Sequence, residues 1–191
     1  MGYCLYSQPK CPSVKRPYPP GPRSNARRKK KSPFGEQLQE KQKLRLTYGM
    51  MEKQFYRTYE KAAILKGNRS DNFLVLLESR LMSLVFRMGI ARSIFDARQL
   101  VCHGHVQVDG HRVDIPGYWV KPGEVIGLSE KARKMERVEY AVQNRISSAG
   151  SVPYLEIQED GISARFTGIA DITQVPVTRV NVPKIIEFYS R

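Results

Sequence analysis

Acidic side chains are absent from the first 31 residues, which carry nine basic ones: Lys10, Lys15, Arg16, Arg23, Arg27, Arg28, Lys29, Lys30 and Lys31. A segment charged with one sign cannot neutralise itself, so it reads as a basic arm meant for a polyanion. Cysteine is scarce and odd in number, three in all, which argues against a disulfide-framed secreted domain. No apolar run approaches the roughly 18 residues of a membrane span, and the amino end lacks the uninterrupted apolar core of a signal peptide. These absences lead to the expectation of a protein with no membrane association, at work in the cytosol or in an organelle after processing. G-x-S-x-G, H-E-x-x-H and Walker motifs are also missing, and the carboxylates are scattered rather than paired. Neither nucleophilic nor acid–base catalysis has its residues here.

What is present is positive charge. In 191 residues, 32 Lys plus Arg face 18 Asp plus Glu, a net +14. Nine of those fourteen charges sit in the arm, leaving +5 for the remaining 160 residues. Nucleic acid is the first partner such a surplus implies, and an anionic surface the second. Five of the seven residues from Pro17 to Arg23 are Pro or Gly, so the arm is extended, not helical.

From Glu36 the pattern becomes helical up to Gly49, and a second helix runs through "EKQFYRTYEKAAILK" to Gly67, with Phe55, Tyr59 and Ala62 on one face. In "SDNFLVLLESRLMSLVFRMG", Phe73, Leu74, Leu77, Leu81, Leu84, Val85 and Met88 form one apolar stripe. That stripe predicts a single helix, capped by Ser70 or Asp71 and closed by Gly89, with Arg80 and Arg87 pointing from one side. "SIFDARQLVCHG" predicts another helix, from a capping-box-like Ser93/Asp96 start to Gly104. Val106 and Val108 then alternate with Gln107 as a half-buried strand does, and Asp109-Gly110 signals a type I′ hairpin turn. Pro122-Gly123 marks a turn before a strand "EVIGL", Lys131 to Ile146 reads as an exposed helix, and "LEIQEDGISARFTG" reads as a hairpin. The expected fold class is α+β: two helices packed on a small, mostly antiparallel sheet, behind a helical segment and the arm.

The run Ala97–Val113 holds Cys102 and all three histidines, His103, His105 and His111. Zinc sites use ligand pairs two to four residues apart on two separate elements, and this nearly contiguous set does not fit that pattern. Cys102 is expected in the core. Cys4 and Cys11 stand apart without a second pair, so neither metal nor other cofactor is expected. The polar positions left over once the stripes are buried favour binding: Arg80, Arg87, Arg92, Ser93, Arg98, Gln99, His103, His105, Gln107 and Arg112. Ser93 begins a helix whose free N–H groups suit a phosphate, and Arg98 supplies bidentate donors. Lys41, Lys43, Arg45, Lys53 and Arg57 add a basic face to the first two helices.

The run "LESRLMSLVFRMGIARSIFDARQLVCHGHVQVDGHRVDIP" resembles the RNA-binding module named after ribosomal protein S4. "RPYPPG", "LQEKQKLRLTYGM", "EKQFYRTYEKA", "LKGN" and the terminal "IEFYSR" extend the likeness over nearly the whole chain, to the bacterial-type S4 ribosomal protein family. The resemblance implies a structural constituent of the small ribosomal subunit, a primary binder of its ribosomal RNA that nucleates assembly of the subunit body. It implies contact with neighbouring proteins of the S5 family, a share in translational accuracy, and a place on the messenger RNA entry path, where Arg23, Arg27 and Arg28 of the arm belong. The location it implies is the cytoplasmic ribosome, a plastid ribosome being the alternative. The domain plan expected on this basis is an arm (1–35), a helical domain (36–70), an RNA-binding domain (71–176, with the S4 module at about 80–140) and a tail (177–191) docking on the helical domain. Family members that bind zinc use four amino-terminal cysteines, and this chain keeps two. Met82-Ser83 stands where Asp-Asn is common, and Asp96 falls in a turn that is often more basic. The alternative functions are an RNA-modifying enzyme resembling pseudouridine synthases, or a free RNA-binding regulator. Only about 50 residues follow the module, short of an ordinary catalytic domain.

Overall fold

The computed structural model describes residues 16, 18, 30–143, 152–169, 171–177 and 180–190, in two units. One gathers the described residues of Met1–Phe55 and Thr178–Arg191, the other those of Tyr56–Val177.

In the first unit, helix α1 (Pro33–Thr47) starts where Pro33 supplies a pre-set φ and the Ser32 hydroxyl accepts the Gly35 N–H at 3.2 Å. It ends before Gly49, whose φ of +57° a side chain would resist. Helix α2 (Glu52–Ile64) begins in this unit, which holds its fully buried Phe55, and its residues from Tyr56 on are counted in the second. The last helix of the chain, Val182–Tyr189, packs along α1. Phe34 meets Phe188 with ring centroids 5.5 Å apart, and Lys184 pairs with Glu36 at 2.8 Å.

In the second unit the apolar stripe is buried as its spacing requires: Phe73, Leu77, Leu81, Leu84, Val85 and Met88 are in the core, with Leu74 half-buried. The expected single helix is nonetheless two, α3 (Arg69–Glu78) and α4 (Leu81–Arg87). Asn68, not Ser70 or Asp71, caps α3, its side chain accepting the Ser70 N–H at 3.0 Å. The chain breaks at Ser79-Arg80, where Arg80 is extended (φ −69°, ψ 138°) and bridges to Trp119. Backbone pairing with a distant segment replaces the lost helical bonds. Leu81 N–H donates to Tyr118 O at 2.8 Å, and Val120 N–H to Ser79 O at 2.9 Å. The Ser83 hydroxyl reaches back across the break to Leu77 O at 2.9 Å.

Below the break Glu78 is wholly buried and paired with Arg87, whose Nη2 and Nε stand 2.6 and 3.1 Å from its two oxygens. The Tyr154 hydroxyl donates to the same carboxylate at 3.1 Å. Burial first, then the Glu78 charge, pushes that phenol well above its usual range.

Helix α5 (Ile94–Cys102) packs against α4, and both cover a five-stranded sheet ordered β2-β1-β3-β5-β4, antiparallel throughout. Its strands are β1 (Val106–Val108), β2 (His111–Arg112), β3 (Val125–Leu128), β4 (Leu155–Ile157) and β5 (Ala164–Phe166). Asp109 (φ 48°) and Gly110 (φ 80°) form the I′-like turn between β1 and β2. The segment expected as one exposed helix is two short ones, α6 (Glu130–Arg133) and α7 (Glu136–Gln143). Ala132, Val138 and Ala141 are buried, so this segment closes part of the core. Its expected continuation to Ile146 lies outside the described residues.

Candidate nucleic-acid interface

Helix α5 turns its apolar residues Ile94, Ala97, Leu100 and Val101 inward, which leaves Arg98, Gln99 and Cys102 outward. Cys102 is exposed, correcting the expectation of a core thiol: it follows Arg98 by four residues and shares its polar face. The Ser93 hydroxyl accepts the Asp96 N–H at 3.2 Å, while Asp96 takes the N–H of Arg92, not Ser93, at 3.1 Å.

Past α5 the chain turns at Gly104 (φ +70°) into β1. A Cβ there would overlap the Arg112 guanidinium, so glycine allows both the turn and the approach of that side chain from β2. Arg112 stands opposite Gln107 in the β1–β2 ladder, and the His103 and His105 rings lie 6.1 Å apart at the C-terminal end of α5. Val106 and Val108 are buried on the other face of β1.

Positive charge converges on His105. Partial burial holds its pKa below the usual value, and Arg137, His103, Lys131 and Arg112 push it in the same direction. Lys131 and Arg137, from α6 and α7, were not among the residues singled out in the sequence. Their segment had no motif, and only the packing of Val138 and Ala141 turns it toward this face. Arg137 reaches α5 directly, 3.2 Å from Asp96 and 3.3 Å from Gln99 Oε1. Asp96 therefore does not simply subtract from the field, because it also anchors a cation beside it. Arg92 is exposed and lies over the Tyr140 ring at 4.8 Å.

Other expected site residues are placed elsewhere. Arg80 is 4% exposed, and Arg87 is held by Glu78. The helix break, not an open helix face, sets both positions, so they do not project together from one side. In the first unit Lys41 is buried, bonded to Glu52 at 2.8 Å and set 4.9 Å from the Phe188 ring centroid. Lys43 pairs with Glu40, and Arg45 bonds Met50 O and faces Glu52. These three cations belong to the packing of their unit, whereas Lys53 and Arg57 are exposed. Arg23, Arg27, Arg28, Cys4 and Cys11 lie outside the described residues. Among the described residues, no group of three or more His, Cys, Asp or Glu side chains is placed to hold a metal ion.

Comparison with known proteins agrees with this arrangement. The family described as Ribosomal protein S4/S9 N-terminal domain matches residues 4–78, and the S4 domain matches residues 79–126. The small ribosomal subunit protein uS4 of Bacillus cytotoxicus is 49% identical over 178 residues, covering 93% of this chain and 86% of that relative. This chain belongs to the uS4 family. Proteins of the same name from Bacillus cereus and Bacillus thuringiensis match at 49% identity over the same 178 residues. In this uS4-family chain the S4 domain begins at the Ser79-Arg80 break and takes in α4, α5, β1 and β2. Two cations that converge on His105, Lys131 and Arg137, come from just beyond that match.

Proposed function

We infer that this chain is a structural, RNA-binding constituent of the small ribosomal subunit and not an enzyme. The observation that carries the reading is a cationic face in and just beyond the S4 domain, where Arg112 stands opposite Gln107, His103 lies beside His105 and Arg137 reaches Asp96 and Gln99 on α5. Such a face gains affinity by releasing counterions from phosphates. The groups that reach it come from four separate elements of one unit, α5, β2, α6 and α7, an arrangement that suits recognition of a folded RNA's shape rather than of duplex sequence.

The finer roles rest on the family resemblance and on charge. They are primary binding of small-subunit ribosomal RNA, nucleation of the subunit body, contact with an S5-family neighbour, and contact of the arm with messenger RNA at its entry path. The basic arm supports the last of these. The cytoplasmic ribosome is the location that goes with the reading. No helix among the described residues is long and apolar enough to cross a membrane.

Filter binding across a salt series tests the proposal. If about five cations of the face each neutralise one phosphate, log K against log salt falls with a slope on the order of −4. A fragment of small-subunit ribosomal RNA containing a helical junction is expected to bind more tightly than a plain duplex of equal length. A flat salt response, or equal affinity for the two RNAs, would refute it.

A further inference from the structure

We propose that the cleft between α3, the segment before β3 and the end of β5 is a docking site for another protein, taking an exposed segment in which a leucine or phenylalanine is flanked by carboxylates. None of the residues of the cationic face lines this cleft, and the proposal does not depend on the RNA-binding reading.

The cleft holds about 700 Å³ and is walled by Val75, Leu76, Trp119, Pro122, Phe166 and Ile169, all within the unit Tyr56–Val177. The break at Ser79-Arg80 frees the Leu76 carbonyl, and Trp119 Nε1 donates to it at 3.0 Å, which fixes the indole in the wall. The Lys61 ammonium stands 3.7 Å from the centroid of that ring. Lys61 and Lys121 both border the cleft and are exposed, and among the described residues neither forms an ion pair with a carboxylate. Glu124, three residues after Lys121, is taken by the Tyr118 hydroxyl at 3.2 Å and by the Lys121 N–H at 3.0 Å.

A concave apolar surface with an aromatic wall is where a partner's anchor side chain gains most by leaving water. Two lysines without acidic partners at its edge select carboxylates beside that anchor, because opposite charges steer the encounter and like charges reject it. RNA is a poor match. Among the described residues no arginine lines the cleft to hold a phosphate, and a stacked base needs an open ring face, whereas Lys61 already covers Trp119. Nor can the carboxylates be side chains from the stretches of this chain outside the described residues, which contain no Asp or Glu.

The test uses the full chain and a synthetic peptide, SEDLFDES, blocked at both ends. Trp119 is the only tryptophan of the chain, so its emission reports on the cleft, while titration calorimetry gives the affinity. The peptide is expected to bind with a Kd on the order of 100 μM and to shift Trp119 emission to shorter wavelength. SEDSSDES, which keeps the charge, and SKKLFKKS, which keeps the anchor, should each bind at least tenfold more weakly. Lys61→Met combined with Lys121→Met should lower the affinity for SEDLFDES about tenfold. Thr167→Phe, at another residue lining the cleft, should block binding with every charge in place. All three positions are exposed, so the variants are expected to melt with the wild type. Binding of SEDLFDES no tighter than that of either control peptide, or unchanged by Thr167→Phe, would overturn the proposal. An oligouridylate that shifts Trp119 emission where the peptide does not would overturn it in favour of RNA. Emission that changes with protein concentration alone would overturn it in favour of a second copy of this chain.

Discussion

His105 couples the charge of the interface to pH. Its pKa lies below the ordinary 6.5, first through partial burial and then through Arg137, His103, Lys131 and Arg112. Between the folded and unfolded pKa values the unfolded chain holds a proton that the folded chain does not. Stability therefore rises as pH increases through the window just below 6.5, and falls as the medium is acidified. Phosphates reverse the local field, so bound RNA should raise the His105 pKa and binding should take up a proton. RNA affinity is then expected to strengthen between pH 7 and pH 5.5, and to do so less in His105→Gln. NMR titration of the His105 ring, free and bound, checks both signs. A free-state midpoint at or above the ordinary value would defeat the argument. None of this was legible in the sequence, where His105 was one of three clustered histidines and Lys131 and Arg137, from α6 and α7, lay 26 and 32 residues away. Cys102 shows the converse. Its place on the polar face could be read from its four-residue spacing from Arg98, but adjacency to Val101 suggested the core.

Between elements, the contact of most consequence is the buried carboxylate that ties α3 to α4 and to the segment before β4. Glu78→Ala removes the partner of Arg87 and of the Tyr154 hydroxyl together. The expected cost is about 3–5 kcal/mol, because a half-buried cation and a buried phenol lose the same carboxylate together. Urea unfolding measures it, and a loss under about 1 kcal/mol would show that this network relaxes freely. Tight turns and amphipathic faces were readable because each is encoded within a few residues. Asp109-Gly110 gave the β1–β2 hairpin, Gly49 and Gly104 gave helix ends, and Asp160-Gly161 gave the β4–β5 hairpin. The break at Ser79-Arg80 was not readable. No Gly or Pro marks it, the apolar period runs through it, and its cause is backbone pairing with residues some 40 positions away. The split of α6 from α7 escaped for a related reason, since what folds the segment is the core it covers and not its own propensity.

At the scale of the whole molecule, the chain is organised as one contiguous unit and one made from two separated stretches. Ile185, fully buried on the last helix, helps hold the second kind together. Ile185→Ala should cost about 2–5 kcal/mol in its own unit. Hydrogen exchange should then show α1 amides losing protection while those of β1 and β3 keep theirs. Uniform loss across both units would mean that they unfold as one. The same pairing of α1 with the final helix sets an order on synthesis. Helix α1 is made well before the final helix, yet its Gln37 and Lys41 must wait for that helix to bring Glu187 and Phe188. Tyr56–Val177 draws its contacts from one contiguous stretch and can pack before the last helix is made. Until then α1, with Leu44 still wet, is the part of the nascent protein most open to a holding chaperone or to premature contact with RNA.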